Sequence, residues 1–174
     1  MTRFRFIREN APARWKRLFV VASAAMALVL SVGQPAIASP YWQTYTFNST
    51  WHCAQVSTNT SIVAISSCVI VSGNYTQAAV VVTNNTSGFI EIQTEVPPTA
   101  NQTEMLVVYK NGAAAKRDYC LQSALGPGLS RACMGGTISA SCSDYAKTLA
   151  GVDVDVNDTR YTYRGFSPTW KMCS

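Results

Sequence analysis

Residues 90–96 place Ile90, Ile92, Thr94 and Val96 on one side and Glu91, Gln93 and Glu95 on the other, the period-two alternation of a half-buried strand. Residues 151–157 repeat it, with Val152, Val154 and Val156 expected inward and Asp153, Asp155 and Asn157 outward. Residues 75–83 are nearly continuous Ala and Val, and residues 61–71 are rich in β-branched side chains, so both suit more deeply buried strands. Residues 104–110 run into Asn111-Gly112, a strong two-residue hairpin signal, which predicts a return strand over 113–119. Breakers fall at 84–88, Pro97-Pro98, Gly126-Pro127-Gly128 and Gly135-Gly136. Only residues 143–150 suit a helix, and they are short enough to read as a turn or a single helical loop. Seven or eight short strands separated in this way predict an antiparallel immunoglobulin-like β-sandwich, with a small barrel as the alternative.

The N-terminus changes the meaning of the charge. Residues 1–17 hold Arg3, Arg5, Arg8, Arg14, Lys16 and Arg17 against one acid, Glu9, and an uncharged apolar run over 18–32 follows. That is the layout of a secretory signal peptide. Ala36-Ile37-Ala38 offers a processing site, so residues 1–38 are read as leader and 39–174 as one secreted β-sandwich domain. The chain as a whole is formally +5, but beyond the leader eight cations face eight acids. A neutral body with scattered cations lacks the stripe that neutralises phosphates, which excludes nucleic acid as principal partner. The apolar run is shorter than the roughly 20 residues that span a bilayer, so no membrane association is expected after cleavage and the product should be extracellular.

All six cysteines, Cys53, Cys68, Cys120, Cys133, Cys142 and Cys173, lie beyond the leader. An even count in an exported chain reads as three disulfides, and the shortest loops pair Cys53 with Cys68, Cys120 with Cys133 and Cys142 with Cys173. Thiolate zinc is the competing reading, but there is no C-x-x-C pair and His52 is the only histidine.

The succession Trp51-His52-Cys53, Ser67-Cys68-Val69, Tyr75-Thr76-Gln77-Ala78, Tyr109-Lys110-Asn111-Gly112, Cys133-Met134-Gly135-Gly136-Thr137 and 167–173 resembles small secreted β-sandwich proteins of actinobacteria. The resemblance implies an extracellular fold and no particular activity. The chain is also similar, more thinly, to the disulfide-linked α-amylase inhibitors of streptomycetes. Their Trp-Arg-Tyr triplet is absent, so no residue is carried over from them.

Candidate chemistry is sparse. An acyl-transfer site would need His52, yet its neighbour Cys53 is expected in a disulfide, and no G-x-S-x-G or H-E-x-x-H sequence occurs. A carboxylate-dependent hydrolase would need two acids across a cleft, drawn from Glu91, Glu95, Glu104, Asp118 and Asp144. Asp153-Val-Asp155-Val-Asn157-Asp158 matches the start of a calcium loop, but Asp158 stands where the loop needs Gly and Arg164 where it needs a bidentate acid. A strand followed by an Asn-Asp turn explains the same letters. No cofactor and no metal are expected.

Aromatic residues gather at 41–51 and 161–170. Trp51 and Trp170, each near a cysteine, are expected to pack on disulfides in the core. Tyr41, Trp42 and Tyr45 are candidate contact residues, since exposed rings give large area at low entropic cost, and Arg131 in the 120–133 loop is a fourth. Seven of the eight asparagines beyond the leader begin N-x-S/T, which reads either as glycan acceptors or as turn starts and strand faces. The favoured function is a non-catalytic extracellular binding module for a polysaccharide or an extracellular protein. The alternative is an inhibitor of a secreted protease or amylase that presents the 120–133 loop.

Overall fold

The computed structural model describes residues 41–57, 59–94 and 106–173. The leader with its cleavage point, Glu95, Val96, Pro97-Pro98, Asn101 and Glu104 lie outside the described residues. Twelve strands follow in order: β1 Trp51–Gln55, β2 Val63–Ser72, β3 Tyr75–Asn84, β4 Ile90–Thr94, β5 Leu106–Lys110, β6 Ala113–Asp118, β7 Ser123–Leu125, β8 Ser130–Met134, β9 Ile138–Ser139, β10 Tyr145–Val156, β11 Thr159–Phe166 and β12 Trp170–Lys171. Among the described residues there is no helix. The expected antiparallel sandwich is present with its three sequentially paired disulfides and no free cysteine.

The first sheet orders β1-β2-β3-β8, with β9 beside β3 at the far end of the β8 edge. The second is organised by β10. Val152–Asp155 pair with β4 and also with β11, while Ala146–Ala150 pair with β5 and Tyr145 and Ala146 with β12. A strand residue bonds one neighbour per edge, so β5 and β4 share one edge of β10 and β12 and β11 the other. Between β12 and β11 a gap opens, and Ser167 fills it: its Oγ accepts from the Thr148 amide at 2.8 Å and its own amide donates to the Thr148 carbonyl.

Alternation along β2, β3 and β10 separates the faces. Val63, Ile65, Ala78, Val80 and Val82 of the first sheet meet Ile90, Ile92, Leu106, Val108, Ala150, Val152 and Val154 of the second in the main core. The intervening residues Cys68, Ala79, Val81 and Ala132 point the other way, yet they are buried too. Segment 41–47 covers them. Gln43 exchanges two 2.9 Å backbone bonds with Ala132 on the β8 edge, and Tyr45 and Trp51 pack on the small side chains beneath. The alanines at 79 and 132 leave room for this strap to lie close to the sheet.

One expectation is corrected and two are refined. Residues 145–150 are strand, not a turn or helical loop, because both edges of β10 are paired there and tertiary pairing outweighs the weak local preference of Ala, Lys and Leu. Asp153 does lie on the outer face, but it is only 6% exposed and accepts a 2.7 Å hydrogen bond from Thr162 Oγ1. The strands also exceed the expected seven or eight, since β7, β9 and β12 have only two or three residues each.

Candidate functional site

The proposed contact residues are dispersed. Tyr41 is 63% exposed. Trp42 is half-buried against the main core and its Nε1 donates to the Leu121 carbonyl at 2.9 Å, so it closes the sandwich edge. Tyr45 belongs to the strap, with its ring edge-on to Phe47 at 4.8 Å and tilted against Trp51 at 5.8 Å. Arg131 is half-buried on β8 and donates to the Ser130 carbonyl. The 120–133 segment is mostly framework. β7 pairs with β4 in one sheet and β8 with β3 in the other, and Cys120–Cys133 sits in the main core between them. Its turn at Pro127-Gly128 and the exposed Leu129 remain at the surface.

Trp51 packs with the Cys53–Cys68 disulfide, as expected, but on the outer face of the first sheet rather than between the sheets. Trp170 stacks on His52, with ring centroids 3.5 Å apart and planes 8° from parallel. Burial lowers the His52 pKa from its ordinary 6.5. A depressed imidazole pKa means that the fold prefers the neutral ring, so this contribution to stability is complete above about pH 6.5 and is lost as pH falls below it. An NMR titration should place the His52 midpoint below 6.5, and Trp170→Ala should move it back toward 6.5 by uncovering the ring. An unchanged midpoint in that variant would show that Trp170 is not the covering group.

The N-x-S/T excess has a local account. Asn48, Asn59 and Asn84 each accept a hydrogen bond from the hydroxyl two residues on, at 2.5, 2.6 and 2.8 Å. At Asn48 and Asn84 the amide of that residue donates as well, which closes an Asx turn. Asn84 is fully buried, so the folded chain cannot carry a glycan there.

An open concavity lies at the β10–β11 hairpin, where a cleft of about 640 Å³ is lined by Phe89, Glu91, Asp155, Asn157, Asp158 and Arg160 together with Ile90 and Ala124. Register assembles it. Glu91 stands opposite Asp155 across β4 and β10, and Arg160 stands opposite Asp155 on the other edge. Arg160 grips Asp155 with two bonds of 2.9 and 2.8 Å and holds its carboxyl below the usual carboxylate range. The pair is solvent-exposed, so it contributes geometry more than stability. Gln122 donates its side-chain amide to Glu91. Asn157 and Asp158 have φ of 47° and 62°, the left-handed pair of a type I′ turn.

Phe89 forms the apolar wall and is 76% exposed. It stands beside Gly126 and Leu129, since a Cβ added at Gly126 would come within 3.3 Å of both side chains. The adjacent loop is fixed from within: Asn84 Nδ2 donates to the Gly88 and Leu125 carbonyls at 2.8 and 2.9 Å. The acidic alternation of 153–158 is legible in the sequence, but this cleft is not. Its members come from three separate stretches of chain, and Phe89 carries no periodic signal.

No family model and no curated protein matches the chain. Among solved structures, the GAE domain of GGA2p from Saccharomyces cerevisiae is similar at 17% identity over 68% of this chain and 96% of that one, with a TM-score of 0.34. A likeness at that level has no bearing on what this chain binds.

Proposed function

We propose that the chain is an exported, non-catalytic binding module whose contact surface is the cleft beside Phe89. One observation carries the reading: a large aromatic ring stands three-quarters exposed at the mouth of a polar cleft, on a frame held by three disulfides. Exposing such a ring forfeits hydrophobic stabilisation of about 1.5–3 kcal/mol, and a binding site recovers it when a ligand covers the ring. The cleft volume falls in the usual range for ligand sites. Leader removal at Ala38 and passage through an oxidising compartment fit the cysteine pairing. The exposed Phe47 ring, packed against Tyr45 and Trp51, forms a second aromatic surface on the first sheet, and Tyr41 is exposed at the start of the strap.

The mature chain 39–174, immobilised and exposed to soluble cell-wall polymer, common polysaccharides and secreted hydrolases, should retain at least one class saturably. Phe89→Ala should weaken that retention by roughly tenfold while its melting temperature stays within a degree or two of the parent. Turnover of a generic glycosidase or esterase substrate that disappears in Glu91→Gln or Asp155→Asn would overturn the non-catalytic reading.

A further inference from the structure

We infer that the Phe89 cleft takes a hexose ring of an uncharged polysaccharide, stacked on Phe89 with its hydroxyls held by Glu91, Asn157 and Asp158. The inference rests on the binding-module reading and specifies its ligand. Three features of the lining select it.

The first is the pairing of one exposed apolar ring with polar groups that each carry two adjacent hydrogen-bonding atoms: the Glu91 and Asp158 carboxylates and the Asn157 amide. Two atoms side by side match two neighbouring hydroxyls, which offer donors and acceptors at a similar spacing. A pyranose supplies such hydroxyls around its rim and a C–H face for the ring of Phe89. A purely apolar ligand would strand these polar groups, at about 1–3 kcal/mol for each one left unpaired.

The second is charge. Three carboxylates line the cleft against one guanidinium, and Arg160 is already engaged by Asp155 through Nε and Nη2. Anionic ligands such as phosphorylated, sulfated or uronate sugars would meet uncompensated negative charge at short range.

The third is rigidity. Asn157 and Asp158 sit in a closed two-residue turn, and the loop before Phe89 is tied to Asn84. Little ordering is needed on binding, which matters for a ligand that makes few contacts.

Isotope-labelled mature chain titrated with maltohexaose, cellohexaose and laminarihexaose, up to about 10 mM to reach weak affinities, is the test. At least one oligomer should shift the amide signals of Phe89, Glu91 and 157–160 and leave those of the strap at 41–47 in place. Phe89→Ala should weaken that binding by roughly tenfold, the scale of one aromatic contact, and Glu91→Gln should weaken it less because the amide keeps an acceptor. No shift with any neutral oligomer, or equal binding by Phe89→Ala, would overturn the inference. Polygalacturonate and a lysine-rich peptide run in parallel separate the outcomes. If only one of these two binds and depends on Phe89, the hexose assignment falls and the binding module stands. If nothing binds in a Phe89-dependent way, both fall.

Discussion

Replacing Cys120 and Cys133 together by alanine should cost about 3–5 kcal/mol and lower the melting temperature by roughly 10–20 °C. Closing a loop with a sequence separation of 13 residues accounts for about 3 kcal/mol through the unfolded chain. The rest comes from the native state, where both sulfurs lie in the main core and their loss leaves a cavity. The bridge also ties the β7 end of one sheet to β8 of the other, so its removal loosens the sandwich at the edge that Trp42 closes. Cys142–Cys173 provides the comparison. It closes a longer loop, with a separation of 31, but both residues are exposed. A chain-entropy account alone makes it the more stabilising of the two. We expect the reverse order in chemical denaturation of the two double variants, because native burial adds only to Cys120–Cys133. If the Cys142–Cys173 double variant proves the less stable, the unfolded-state term dominates.

Asn84→Ala should cost about 2–4 kcal/mol, an unusually large effect for one amide. Its side chain makes four hydrogen bonds in full burial: two donated, to the Gly88 and Leu125 carbonyls, and two accepted, from the Thr86 amide and hydroxyl. Its backbone amide donates to the Leu129 carbonyl and its carbonyl accepts from the Gly128 amide. Asn84 thus joins the β3–β4 loop, which carries Phe89, to the β7–β8 turn. Asn84→Asp is the informative second variant. It keeps the shape and the oxygen that accepts from Thr86 but cannot donate, and it turns an oxygen toward two carbonyls. Urea denaturation should find Asn84→Asp at least as destabilised as Asn84→Ala. A mild effect of Asp would mean that the two donated bonds contribute little.

How much of this was legible in the sequence follows from which signals are local. The alternation at 90–94, the Ala and Val run at 75–83 and the Asn111-Gly112 turn each reside in one stretch of chain and appear as strands and hairpin at those positions. Cysteine pairing followed from short loops, although only Cys53–Cys68 joins consecutive paired strands and Cys120–Cys133 crosses from one sheet to the other. Gly73-Asn74 also closes a two-residue hairpin, with Gly73 at φ 57°, a local signal of the same kind that the expected breakers do not include. Residues 145–150 misled because Tyr-Ala-Lys-Thr-Leu-Ala has little β-branching, and only pairing on both edges makes it strand. The cleft was invisible for a different reason. Glu91, Asp155 and Arg160 meet through the register of three strands, and nothing in any one strand states that register. The aromatic segment at 41–47 was legible as unusual but not as a strap, since what it covers is a set of alanines whose outward direction appears only once β3 and β8 pair.

The position of β10 bears on the order in which the fold can assemble. β2 and β3 form a hairpin from adjacent sequence, and β1 adds to it locally, so most of the first sheet can form while the chain is still short. The second sheet gains only separate pieces early, the β5–β6 hairpin and the β4–β7 pair. β4 and β5 bond not to each other but to β10, which begins at Tyr145, so they wait for the C-terminal strands. Until then the inner row Val63, Ile65, Val80 and Val82 has nothing to cover it. A nascent or truncated chain that stops before Tyr145 is therefore a half-sandwich with a bare aliphatic face, the form most prone to aggregate. Completion late in synthesis, more than marginal stability of the finished fold, should limit its yield.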